Sequence, residues 1–378
     1  MLSPQHTVAN DDYMACAYTQ KARKLSKMMK DLGHAVFFYG HEQSVVECDE
    51  MVPVTTDADM RAAYGDFDHH KDFFKFDVTD SCYRAYDTNA IREIAKRKQP
   101  NDFLLATWGS GHRVICDAHQ DLIVTESGIG YAGGHFARWK IFESYALLHA
   151  YLGLKAVGEA GHCENYSVVI PNFFDLADFT FDDQKDDYFL FLGRVNEGKG
   201  LHVAIQLAVA AGFRLVIAGQ GKLSDVGYGG DGQQAVPPNV EFVGHADVEQ
   251  RRKLLSKAKC LFLLSGYLEP FGGVQIEAML SGTPVITSDW GVFPETNLHG
   301  ITGYRCRTFA DTLWAVRNID RISPAACRAW AEANYSMERV SLMYDKFFRD
   351  VMDVYTGKGW YEPHPERTEL DWLTKVYP

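Results

Sequence analysis

The sequence of 378 residues has no CxxC pair and no cysteine–histidine spacing of the kind that closes around zinc. Its eight cysteines are scattered at 16, 48, 82, 116, 163, 260, 306 and 327. In a chain this long they read as reduced, buried thiols in a reducing compartment. No apolar run approaches the roughly 18 residues that a membrane span needs, and an apolar leader core is missing near Met1. No integral membrane segment and a cytoplasmic location are therefore expected. Basic charge is also short: 38 Lys and Arg stand against 50 Asp and Glu, a formal net charge of -12. That balance gives no support to non-specific nucleic-acid binding. What is present is ordinary globular material, 46% hydrophobic and 23% charged, long enough for two domains.

Helical and strand patterns alternate, which predicts α/β architecture with parallel sheets. In the first half, 21–30 reads as a basic helix closed at Gly33. Strands are expected at 34–39, 103–107 and 122–125, and a long amphipathic helix at 137–150. Pro171-Asn172 and the acidic run 182–187 mark a boundary. It divides 1–172 from 173–355, with the tail 356–378 expected to pack back on the first half. Beyond the boundary, strands are expected at 188–192, 214–218, 240–243, 260–264 and 284–287. Helices are expected at 201–211, 248–258 and 274–280. Two such units leave a cleft at the carboxyl ends of their strands.

Three motifs could meet phosphate. Gly193 to Gly200 nearly matches GxxxxGK[ST], but Gly200 stands where a magnesium-holding hydroxyl belongs, so a true P-loop is not expected. A helix start with Arg194 and Lys199 still suits a diphosphate without a metal. Gly128-Ile129-Gly130-Tyr131-Ala132-Gly133 matches GxGxxG, yet no strand-ending acid follows about 20 residues on. Those glycines are expected to line the cleft rather than bind a dinucleotide. Glu269-Pro270-Phe271-Gly272-Gly273-Val274-Gln275-Ile276-Glu277 follows an apolar strand and opens a helix. There Gly272, Gly273 and Val274 can offer amides to phosphate, Glu269 can reach sugar hydroxyls, and Glu277 can hold a ribose diol.

With Phe191 to Arg194, Lys199-Gly200, 217–221, 240–244 and 282–286, these residues resemble retaining glycosyltransferase family 4, and the likeness covers most of 188–306. The resemblance implies a GT-B fold: two Rossmann-like domains whose parallel sheets face each other across a deep cleft. It implies transfer of a hexose or pentose from a nucleotide-diphosphate sugar, UDP- or GDP-linked, to a hydroxyl acceptor. A donor phosphate oxygen would deprotonate that acceptor, and neither a metal nor another cofactor would be required. Arg194, Lys199, Gly272, Gly273 and Val274 would hold the diphosphate, and Glu277 the ribose. Gly244 and His245 would lie by the base, and Glu269 would act on the sugar.

The sequence departs from the family twice. Where many relatives carry a histidine, in the loop after the strand at 122–125, Glu126 and Ser127 stand instead. Glu126, Ser127, His112 or His135 could do its work, beside an acceptor-side loop of Gly128 and Gly130. Met1 to Pro4 also leaves little room for an opening strand, which is expected to be short or the start of the chain to lie upstream. Two alternatives stay open. Lys21, Arg23, Lys24, Lys27 and Lys30 on one helix, and Arg92, Lys96, Arg97 and Lys98 on another, could serve a DNA glycosyltransferase. A non-catalytic nucleotide-sugar binder is the other.

Overall fold

The computed structural model describes residues 1–13, 16–70, 74–131, 133–158 and 166–357. Its strands fall in two groups. The first holds β1 (Phe37–His41), β2 (Glu50–Thr55), β3 (Phe103–Ala106), β4 (Ile123–Ile129), β5 (Trp139–Phe142) and β6 (Ser167–Val169). The second holds β7 (Phe189–Leu192), β8 (Leu215–Ala218), β9 (Val240–Gly244), β10 (Cys260–Leu263), β11 (Val285–Ser288) and β12 (Gly303–Cys306).

β2 pairs with β1, and β3-β4-β5-β6 form a separate ladder, all parallel. Met1 to Ser3 joins the two pieces. Leu2 N–H donates to Leu105 O at 3.0 Å, while Tyr39 N–H reaches Met1 O at 2.9 Å and Ser3 N–H reaches Tyr39 O at 3.1 Å. The backbone of Met1 to Ser3 thus sits between β1 and β3, with Leu2 in an isolated bridge to Tyr39. The second sheet runs β12-β11-β10-β7-β8-β9, also parallel throughout. Its order reverses between β7 and β10, the kind of switch point beside which open α/β sheets bind ligands.

Sequence and structure part at 137–150. Trp139 to Phe142 is a fully buried strand, and the helix begins only at Tyr145, running to Gly158. The GxGxxG segment accordingly leads into a loop and a strand, not a helix. The return to the first half also comes earlier than expected. The helix Met337–Tyr355 places Val340, Tyr344, Phe347 and Val351 in a core with Met28, Phe38, Ile123 and Trp139. The expected tail contact from 358 onward lies outside the described residues. The two crossings between halves run side by side: Phe174 N–H donates to Tyr335 O at 2.9 Å and Met337 N–H to Phe174 O at 3.0 Å.

The basic helices do not present free cations. On the helix Ala17–Asp31, Arg23 pairs with Asp11, Lys24 with Asp178, and Lys27 with Asp31 and Glu47. Lys30 donates to Cys48 O. On Ser81–Arg97 and just after it, Arg92, Lys96 and Arg97 meet Glu93, Arg97 also meets Glu50, and Lys98 meets Asp121. Most cations on the faces that suggested DNA are thus paired with carboxylates, while Lys30 meets only a backbone carbonyl.

Phe347 is 3% exposed. Phe347→Ala is expected to destabilise the first half by about 3–5 kcal/mol. Denaturant unfolding followed by tryptophan fluorescence would check this, and a change under 1 kcal/mol would contradict the packing of this helix.

Candidate active site

The loops after β7 and β10 are fastened to one another. Gly266 N–H donates to Gly198 O at 2.8 Å, and the Asn196 side chain caps the turn by accepting from Lys199 N–H at 3.1 Å. Gly200 has φ +72°, and a Cβ there would stand 2.1 Å from Leu264 O. A serine or threonine does not fit, which is the physical reason the P-loop pattern breaks at this residue.

This arrangement aims Lys199 at Glu269. Its Nζ lies 3.0 and 2.9 Å from the two carboxylate oxygens, and 4.9 Å from the centre of the Tyr267 ring. Ser265 Oγ donates to Glu269 Oε2 at 3.0 Å, and Glu269 is 7% exposed. Burial, then the Glu269 charge, pushes the Tyr267 phenol well above its ordinary range, so it stays protonated. Arg194 stands exposed at the rim of the same loop. Gly272 precedes the helix Gly273–Leu280, whose start carries no side-chain cap. The Gly273 and Val274 N–H groups belong to a first turn that lacks intrahelical acceptors. Further along that helix, Glu277 Oε2 accepts from Arg251 Nε at 3.0 Å and also from its Nη2. Gly244 and His245 lie just ahead of Arg251's helix, Val248–Lys257. Burial foremost, then His70 and Arg251, lowers the His245 pKa.

On the facing half, Glu126 is fully buried. Its carboxylate accepts from Tyr131 Oη, Phe136 N–H and Ala137 N–H, each at 2.9 Å. Those three donors enclose the carboxylate and tie it to Tyr131, Phe136 and Ala137. His112 is likewise enclosed. Its Nδ1 accepts from Thr107 and Trp108 N–H at 3.1 and 3.3 Å, and its Nε2 bonds Ser3 O at 3.0 Å. Burial lowers its pKa to about 3. His135 bonds Tyr131 O and stacks on the Tyr131 ring. Ser127 is buried and its Oγ has no hydrogen-bond partner.

Gly128 and Gly130 make room for a pair that the residue pattern did not reveal. A Cβ on Gly128 would stand 2.6 Å from Lys21 Cδ, and one on Gly130 would stand 2.7 Å from Glu143 Oε1. Lys21 Nζ binds Glu143 and donates to Gly128 O at 2.9 Å. Burial pulls the Lys21 ammonium below the usual lysine range, to about 7. The space a dinucleotide's phosphates would need is filled. Next to Glu143, Ser144 Oγ donates to Pro270 O at 2.6 Å. Tyr145 and Ala146 N–H donate to Glu295 at 2.9 and 2.7 Å, so the second half caps a helix of the first. Sequence reasoning missed Arg251, Tyr267, Glu143 and Glu295. Their partners lie 26 to 150 residues away or in loops with no motif.

Residues 175–323 match the family model described as glycosyl transferases group 1. Glycogen synthase of Mycobacterium tuberculosis is 36% identical over 151 residues, 38% of this chain and 36% of that protein. The chain thus matches about a third of that relative's length. AviGT4, a glycosyltransferase involved in Avilamycin A biosynthesis, superposes with a TM-score of 0.65 at 21% identity, over 89% of this chain and 90% of that one. Anabaena HepE in complex with UDP-glucose gives 0.62 at 15% identity, over 87% and 95%. The fold is therefore GT-B: two Rossmann-like halves facing each other across a cleft.

His112, and His6 with a pKa lowered to about 4, are kept neutral by burial. An unfolded imidazole titrates near 6.5, so the unfolded chain binds more protons below that value. Stability is expected to fall as pH drops from about 6.5 toward 3, by up to about 1.4 kcal/mol per unit for each group. Denaturant midpoints across that range should decline less steeply in His112→Gln. Parallel slopes would contradict the assignment.

Proposed function

We propose that the protein is a glycosyltransferase that moves a hexosyl or pentosyl group from a nucleotide-diphosphate sugar to a hydroxyl acceptor, with retention. The observation that carries this reading is the Lys199–Glu269 pair at the reversal of the second sheet, beside the uncapped helix start at Gly273. A half-buried ammonium is stabilised by an anion. Without donor, Glu269 supplies it. A diphosphate entering the crevice offers Lys199 a stronger partner, and Arg194 joins from the rim. Glu269 is then released toward the sugar hydroxyls, while the Gly273 and Val274 amides meet phosphate oxygens. Glu277, oriented by Arg251, would accept from the ribose diol, with Gly244 and His245 near the base. That Anabaena HepE binds UDP-glucose supports a UDP-linked donor.

The leaving diphosphate gains charge as the sugar–phosphate bond breaks. Lys199, Arg194 and the amides stabilise that charge more in the transition state than in the ground state. A donor phosphate oxygen takes the acceptor proton on the same face, and no metal is required. Contacts between halves at Ser144–Pro270 and at Glu295 favour a closed cleft that excludes water.

The acceptor side is aromatic. Phe76 and Tyr18 both pack edge-on against Trp108, at 5.4 and 4.9 Å, and Tyr18 lies 6.0 Å from Tyr131. Rings in that arrangement suit the flat apolar face of a pyranose, in keeping with a carbohydrate acceptor.

Glu269→Gln is expected to lower kcat by at least about tenfold while nucleotide affinity changes little. Equal losses in both, measured by steady-state kinetics and calorimetry, would leave Glu269 a binding residue only. Trp108→Ala should raise the acceptor KM several-fold and leave the slow hydrolysis of donor unaltered; weakened hydrolysis would argue that Trp108 supports the donor site instead.

A further inference from the structure

Outside the donor crevice, three side chains of the first half converge without a role in the transfer. Asp12 stands just before the first helix, and His69 and His70 sit in the loop that follows the helix Asp57–Tyr64. His69 Nε2 lies 3.0 Å from Asp12 Oδ2, and His70 Nε2 lies 3.1 Å from Asp12 Oδ1. The two imidazoles are 4.2 Å apart, centre to centre, with their planes at 34°.

We propose that Asp12, His69 and His70 form a binding site for a divalent transition metal ion of the zinc type. Four observations carry this. The three ligand atoms lie within 4.8 Å of one another, so one ion can reach all of them at ordinary bond lengths of about 2.0–2.2 Å. His69 Nε2 is buried yet makes no hydrogen bond, despite its nearness to Asp12. With Nε2 unprotonated, that nitrogen meets Asp12 lone pair to lone pair, and a cation held between them satisfies both. The His69 ring is also held in place: Tyr13 stacks on it at 3.9 Å and 12°, and Gln220 of the facing half donates to His69 O at 3.1 Å. Finally, the donor set selects the ion. Two imidazoles and one carboxylate suit zinc, nickel or copper, whereas magnesium and calcium call for oxygen ligands throughout.

The site lies at the mouth of the cleft. His70 stands 6.0 Å, ring to ring, from His245 across the gap, and Gln220 reaches over from the loop after β8. An ion here would fix the 65–70 loop against the second half. None of its three ligands is among the residues proposed to hold the donor.

The test uses the full chain, freed of any histidine tag and stripped with chelator. Zinc titrated against a competing chromophoric chelator is expected to show one bound equivalent. Asp12→Asn and His70→Ala, both at exposed positions, should each weaken it by at least about tenfold, since even outer-shell partners of bound metals are worth that much. Cobalt in the same site should absorb in the visible without a thiolate charge-transfer band. Far-ultraviolet circular dichroism would establish that both variants fold. No bound equivalent, an affinity unchanged in both folded variants, or a thiolate band that places the ion on cysteine would each overturn the proposal.

Discussion

The crevice of the second half is organised by one part-buried contact, Lys199 on Glu269. Removing two charges from water is unfavourable unless each satisfies the other, and even then such a pair adds little net stability. Its value lies in position. Gly200 can pass the Leu264 carbonyl only because it has no side chain, and that close passage brings the loops after β7 and β10 together. Ser265 and Tyr267 then hold the carboxylate while the ammonium waits beside an uncapped helix start. A ligand bearing negative charge can replace one partner without leaving the other bare.

The first half repeats the device with different parts. Lys21 and Glu143 form a second buried pair beyond the ends of β4 and β5, and Gly128 and Gly130 supply its space. Glu143 is followed at once by Ser144 and Tyr145, which bond to Pro270 and Glu295. The two pairs are thereby linked through a short stretch of chain, 143–146, that spans the cleft. Approach of the halves and occupancy of the crevice are accordingly properties of one connected region.

The second half was legible in the sequence because its strands are short apolar runs bounded by glycine and its loops carry phosphate chemistry at fixed spacing. The strands β7 to β11 fall within one residue of expectation at each end. The first half was less readable for identifiable reasons. The segment Met1 to Ser3 is held by bonds to both neighbours and is too short to show a periodicity of its own. Trp139 to Phe142 is buried throughout, and its apolar residues merge with those of the helix that follows, so the two read as one amphipathic segment. The tie of Glu126 to its three donors, 5 to 11 residues on, was not legible from residue type. The basic helices looked cationic because their carboxylate partners are distant, as with Lys24 and Asp178 or Arg97 and Glu50.

The central claim is that the β7–β10 crevice is a diphosphate site built on Lys199 and Arg194. It is tested most directly by calorimetric titration of the metal-free protein with UDP and GDP, with Arg194→Ala and Lys199→Ala beside it. The account predicts tight binding of one nucleotide, weakened in each variant by about 1.5–3 kcal/mol, the worth of a hydrogen bond to a charged group. Binding of equal strength in the protein and both variants would contradict it.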